Sequence, residues 1–264
     1  MSERVATSRA ALKALYSEDA EARRYVVEGV VYFGLIHAHL AAVVVGWVPA
    51  WTMAVLLPIW MARTMIGRHE LIHVRKEGEV DLFTSLWPVL MMVTPFSAGY
   101  REYRVLHQRH HQFMLTDRDP DAYQYRGGVL AGYLHCFLSP EVTLWSWVKE
   151  KGLDAQFARE VVLRALFFTA VVAVSGRAFL WYWVPLRMTY GASLFLFSYV
   201  LHRRGREVGV FRIDLSPVGV QAFCFLFGKV GWLAVCNHDV HHANSNLSPL
   251  RLRDARPLLG ARVQ

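Results

Sequence analysis

"HELIH", residues 69–73, reads in two ways, and the fold follows from the choice. Two histidines four apart lie on one helix face. With a glutamate after the first, they match the helical zinc motif of many metalloproteases, in which Glu70 would be the general base. A five-residue match in a chain with 12 histidines carries little weight by itself. The surrounding sequence decides.

Hydrophobic residues make up 54% of the 264 and charged residues 19%, which is too apolar for a typical soluble enzyme of this length. Nine Trp, eleven Tyr and fifteen Phe fit aromatic belts at two membrane interfaces. Residues 1–24 are charged throughout and lack an apolar signal core. They read as an N-terminal cytoplasmic amphipathic segment and not as a cleaved leader. Cys136, Cys224 and Cys236 form an odd set without close spacing, as reduced core thiols do. The net charge of +8 comes with no nucleic-acid-binding motif. In a membrane protein such an excess marks the cytoplasmic side, so no nucleic-acid partner is expected.

From Tyr25 to Ala62 the chain is almost uncharged, with a break at "GWVPAW" (46–51), and reads as a hairpin of two spans. Residues 63–159 hold most of the charge. Within them "DLFTSLWPVLMMVTPFSAGY" (81–100) is apolar but broken by Pro88 and Pro95, so it reads as interfacial or re-entrant. A second apolar block runs from Val161 to Val200. Its turn is placed at "WVPLR" (183–187) in preference to "SGR" (175–177), because Pro185 supplies a break beside Trp181, Tyr182 and Trp183. The stretch from Val218 to Val235, interrupted by Gly228, Lys229 and Gly231, reads as interfacial. "HRRGR" (202–206) and "RLRDAR" (251–256) put the charged side in the cytoplasm. The expected architecture is an all-α integral membrane protein, with four transmembrane helices and a cytoplasmic helical cap. Residues 25–250 form one membrane domain and 251–264 a basic cytoplasmic tail.

Two further stretches bear on "HELIH". "HQRHH" supplies His107, His110 and His111, and "HDVHH" supplies His238, His241 and His242. Positions i, i+3 and i+4 share a helix face, so each triplet can aim its imidazoles at one place. With His69 and His73 that makes eight histidines, too many for one zinc ion with three protein ligands. They suit two metal ions. Imidazole alone leaves zinc, copper and iron open.

Boxes spaced HxxxH, HxxHH and HxxHH over a four-helix membrane core resemble the membrane fatty acid desaturase and hydroxylase family, across residues 25–250. "HHQFMLTDRDPD" (110–121) resembles the family's second box with its Asp-Pro-Asp, and "WLAVCNHDVHHANSNLSP" (232–249) its third box with a downstream proline. "VPLRMTYGASLFLFSYVLH" (184–202) resembles the helix that ends in an extra histidine. The resemblance implies that the eight box histidines bind two irons, with His202 as ninth ligand. It also implies O2 as co-substrate, two electrons, and oxidation of an unactivated C–H bond in a lipid or other apolar membrane molecule. Fatty acyl desaturation is the first expectation. Hydroxylation and carotenoid-type ketolation use the same boxes and stay open. No CxxC array or haem motif is present, which implies a separate electron donor of ferredoxin, rubredoxin or cytochrome b5 type.

In that setting Glu70 accepts a ligand N–H, and zinc proteolysis becomes a remote alternative beside a non-catalytic membrane metal-binding protein. Asp117, Asp119, Asp121 and Asp239 compete for similar positions, and Glu70 and Asp239 are the acids assigned to the site. His37 and His39, inside the first span, are as consistent with helix packing as with function. His135 reads as interfacial, and Asn237 as either a water-holding residue or a helix cap.

Overall fold

The computed structural model describes residues 9–73 and 94–260. Most of them are helical. A helical turn at 9–13 precedes α1 (Asp19–Val44), whose first turn carries Asp19 and Glu21, acids that complement the helix dipole. Gly46, at a φ of 80°, opens the turn into α2 (Thr52–Leu71), and the two helices pack along each other as the expected hairpin. Of the segment 81–100, residues 81–93 lie outside the described residues.

α3 (Tyr100–Phe113) carries the second box. Three shorter helices follow: α4 (Ala122–Tyr125), α5 (Val129–Phe137) and α6 (Ser139–Lys151). α7 (Ala155–Ser175) starts at Asp154, whose carboxylate accepts from the Phe157 amide as an N-cap.

α7 ends at 175, one 3₁₀ turn spans Gly176–Ala178, and α8 (Phe179–Leu194) begins at once. The turn is therefore at "SGR" and not at "WVPLR". Gly176 takes a φ of 50°, which only glycine adopts without strain, so it stops α7. Pro185 sits inside α8. The hydrogen bond it removes is outweighed by burial of Tyr182, Leu186 and Tyr190 against Leu57 and Met61. Local breaker chemistry lost to core packing here.

α8 continues into a π-helical segment, Phe195–Val200, and a two-stranded hairpin pairs Arg203–Arg204 with Glu207–Val208 just after His202. α9 (Pro217–Cys236) and α1 are helices long and apolar enough to cross a membrane. The interfacial reading of 218–235 thus meets a longer helix than expected, though one broken at Gly228 (φ 76°, ψ 172°). Arg63 donates to the Phe225 carbonyl at 2.8 Å and the Cys224 carbonyl at 3.5 Å, acceptors next to that break.

α10 (His238–Ala243) carries the third box, and α11 (Leu252–Leu259) packs on it. Residues 252–259 are thus not a free tail. Leu252, Ala255 and Leu259 share one helix face and bury against Val240 and Leu247. Leu12, Leu15 and Tyr16 complete that cluster, so the N-terminal segment is docked on protein. The Ser17 amide donates to the Asn246 carbonyl (3.1 Å), and the Ser248 amide to that of Leu15 (2.9 Å).

Candidate metal centre

The last turn of α2 presents His69 and, just past its end, His73. They meet His107 of α3 and His241 of α10, the candidate ligand atoms of all four lying within 4.8 Å of one another. A second group forms by the same measure from His110, His202 and His242. Each HxxHH triplet is therefore divided between two places and not aimed at one. At about 100° of rotation per residue, i+3 and i+4 diverge to opposite sides of i, so neighbouring histidines can face different ions.

The remaining two box histidines fill the space between. His111 lies with ring centroids 4.8 Å from His241 and 4.2 Å from His242, and its Nε2 is 3.1 Å from His107 Nε2. His238 Nε2 is 3.2 Å from His202 Nε2, and its ring is 4.5 Å from that of His242.

Several rings are fixed through their far nitrogen. His69 Nδ1 donates to Glu70 Oε1 at 2.9 Å, and Glu70 is only 3% exposed. His110 Nδ1 donates to both carboxylate oxygens of Asp119 at 3.0 Å, and the Tyr125 hydroxyl donates to the same carboxylate at 2.5 Å. His202 Nδ1 donates to the Gly209 carbonyl at 3.0 Å. Such partners set the tautomer and leave Nε2 as the lone-pair nitrogen.

Burial first, and then the fields of neighbouring charges, push His73, His107, His111, His238, His241 and His242 well below the ordinary histidine range. Burial pushes His202 down to about 3. These rings are neutral near pH 7, the state in which imidazole binds a metal. His110 differs: burial opposes its charge most, but the Asp119 hydrogen bond together with the charges of Asp121 and Asp119 raises it. Burial likewise opposes ionisation of Asp119, yet His110, the Tyr125 hydroxyl and the Asp121 amide together lower it. Asp121, its Oδ2 3.9 Å from His107 Nδ1, is raised by burial to about 6.

The other acids are placed elsewhere. Asp239 takes two hydrogen bonds from Arg256, at 2.7 and 2.8 Å, which tie α10 to α11. That pairing turns its carboxylate to the arginine, and Asp119 takes the role on a histidine. Asp117 is 97% exposed in its side chain and pairs with Arg126. His37 donates to the Phe33 carbonyl and accepts from the Tyr182 hydroxyl (3.1 Å), while His39 donates to Thr52 Oγ1 (2.8 Å), so both pack helices together. His135 rings against Tyr123, and the Asn237 side chain donates to the Leu233 carbonyl. Two supports of the site carry no signal in the sequence: the Gly209 carbonyl and the Tyr125 hydroxyl. Phe197, carried by the π-helical segment, lies 6.3 Å from the His69 ring.

Whether the rings fit metal is tested by their unsatisfied atoms. Among the described residues, His73 Nε2, His111 Nδ1, both nitrogens of His241 and His242 Nε2 are buried without a hydrogen-bond partner. Unpaired buried polar atoms are costly, and several converging at one place are complementary to a cation. Metal–imidazole bonds of about 2 Å put two ligand nitrogens at most about 4 Å apart, a small inward turn from the observed spacing. The donor set fits. A family model described as fatty acid desaturase matches residues 45–264. No curated protein and no solved structure matches the chain.

Proposed function

The chain belongs to the fatty acid desaturase family, and on that premise we propose an O2-dependent di-iron membrane oxidoreductase that desaturates a fatty acyl chain. The observation that carries the reading is the pair of imidazole groups, three and four strong, in which His73 Nε2, His242 Nε2 and both nitrogens of His241 are buried with no hydrogen-bond partner among the described residues. α1, α2, α7 and α8 with its extension to Val200 are the four spans, and the histidines form a cap at their cytoplasmic ends. Val27, Val31 and Leu35 on α1 and Leu163 and Leu166 on α7 are exposed apolar residues, as a lipid-facing surface requires.

The chemistry that two irons supply when bound is reduction of O2 coupled to oxidation of an unactivated C–H bond. For desaturation two hydrogens leave adjacent carbons, O2 takes up two electrons and two protons, and a double bond and two waters result. A separate donor, of ferredoxin, rubredoxin or cytochrome b5 type, supplies the electrons, and the basic face suits an acidic one. The residues hold geometry. Glu70, Asp119 and the Gly209 carbonyl fix three imidazoles, while Phe197 walls His69 with apolar surface. Glu70 is buried with Oε1 accepting from His69 Nδ1, which supports an orienting role in preference to that of a protease base.

The test is iron content of protein expressed with ample iron, together with mass spectrometry of lipids from an expressing host. Iron near two per chain and new double bonds uphold the reading. New alcohols in place of double bonds move the reaction to hydroxylation. A single tightly held zinc without O2-dependent product rejects the di-iron assignment.

A further inference from the structure

Between α1, α2 and α9 lies a cavity of about 320 Å³ with no histidine in its wall, lined in part by Arg24, Tyr25, Glu28, Arg63 and Lys229. Three of the five are cations and one is an acid, and Glu28 is already engaged 3.5 Å from Arg24. Tyr25 is 2% exposed, yet its hydroxyl has no hydrogen-bond partner among the described residues. Arg63 Nε is buried and unpartnered in the same way, while its terminal nitrogens reach the carbonyls beside the break in α9. Arg63 Nε–H can only donate, and the Tyr25 hydroxyl, which can accept from the neighbouring Arg24, still has a proton to donate, so an acceptor suits both. Gly228, also in the wall, interrupts the helical dihedrals of α9 there. A group that only accepts, and is negative, satisfies both donors at once.

We propose that this cavity binds the anionic headgroup of a membrane lipid, a phosphate or carboxylate oxyanion, as a site separate from the metal centre. Basic pockets between helices at the cytoplasmic interface select such lipids. The inference rests on the membrane placement proposed above for the lipid's access, and on the cavity's own donors for its selectivity.

The experiment is native mass spectrometry of the purified, lipid-stripped, full-length protein in detergent, titrated with phosphatidylglycerol or with phosphatidylcholine. Wild type is expected to retain phosphatidylglycerol in preference. Arg24→Gln and Lys229→Gln should each weaken that binding about fivefold. Tyr25→Phe should weaken it without touching phosphatidylcholine binding, and Glu28→Gln, which removes the competing acid, should strengthen it. Arg63 is left unchanged because it also holds the α9 break. Equal retention of the two lipids by wild type, or four variants indistinguishable from it, overturns the site. Inorganic phosphate as competitor separates the sources: displacement means the bare oxyanion suffices, retention that the lipid is required, and both uphold the site. Lost headgroup selectivity with O2-dependent turnover intact sinks this site alone. Selective binding in a protein without turnover sinks the desaturase reading alone.

Discussion

The two histidine groups use the same side chain but differ in what holds it. In the group of His110, His202 and His242, two rings have their Nδ1 fixed, by Asp119 and by the Gly209 carbonyl. Among the described residues, the group of His69, His73, His107 and His241 has one close outer partner, Glu70 on His69, and His241 has neither nitrogen satisfied. The first group is arranged by protein, whereas the second is completed by whatever its nitrogens bind. Preorganised ligands cost less to order on binding, so the first group should hold its ion more tightly.

The largest effect that can break this comparison is loss of one ligand on each side. His73→Ala and His202→Ala should each lose about half of the iron and more than about 100-fold in turnover, beyond the usual cost of an outer-shell change. The iron left in His73→Ala, held by the braced group, should resist a chelator longer than that left in His202→Ala. Elemental analysis before and after chelation measures both. If either variant loses all its iron at once, the two groups act as one site and the contrast disappears.

Next come the braces themselves. Asp119→Asn disturbs a buried carboxylate shared by His110 and Tyr125, so turnover should fall toward the upper end of a range of about 10- to 100-fold. Glu70→Gln keeps shape and acceptor on a group with less outer support, and should fall only toward the lower end. Lipid product formed with a reconstituted electron donor gives the ratio. A greater loss in Glu70→Gln would invert the ranking of the two groups.

The smallest effect sharpens the comparison by standing outside it. Asp239→Asn breaks the charged hydrogen bonds with Arg256 and should lower stability by about 1–3 kcal/mol, seen as a lower unfolding temperature. Iron per chain should not change. A drop in iron without a drop in stability would return Asp239 to the site acids that orient a ligand histidine.

Spacing made the histidines legible, because a helix converts i, i+3 and i+4 into neighbouring directions whatever surrounds it. It could not say which histidines would meet across helices. That depends on how α2, α3 and α10 are rotated against one another, and the rotation divides each triplet. Nor could it rank the aspartates. Asp119 and Asp239 both lie near a box, and only the fold brings Arg256 to one and leaves His110 for the other. The turn after α7 falls at the less favoured of its two candidate places for a related reason: proline is a strong local signal, but burial of Tyr182, Leu186 and Tyr190 acts at long range and carries α8 through it. The aromatic, charge-poor hairpin of α1 and α2 depended on no such partner and was readable from composition.

The docking of Leu15 and Ser17 on Asn246 and Ser248 sets an order of events. Glu21 and the Ser248 hydroxyl that it accepts from are 227 positions apart. During synthesis, the segment that will brace the third box is made first and must wait until residues 246–248 have followed it out of the ribosome. Closing so long a loop costs only slightly more than closing one half its length, since the entropy grows with the logarithm, so the delay is mainly kinetic. His238, His241 and His242 gain this support only once residues 246–248 have been made and the earlier segment has docked on them.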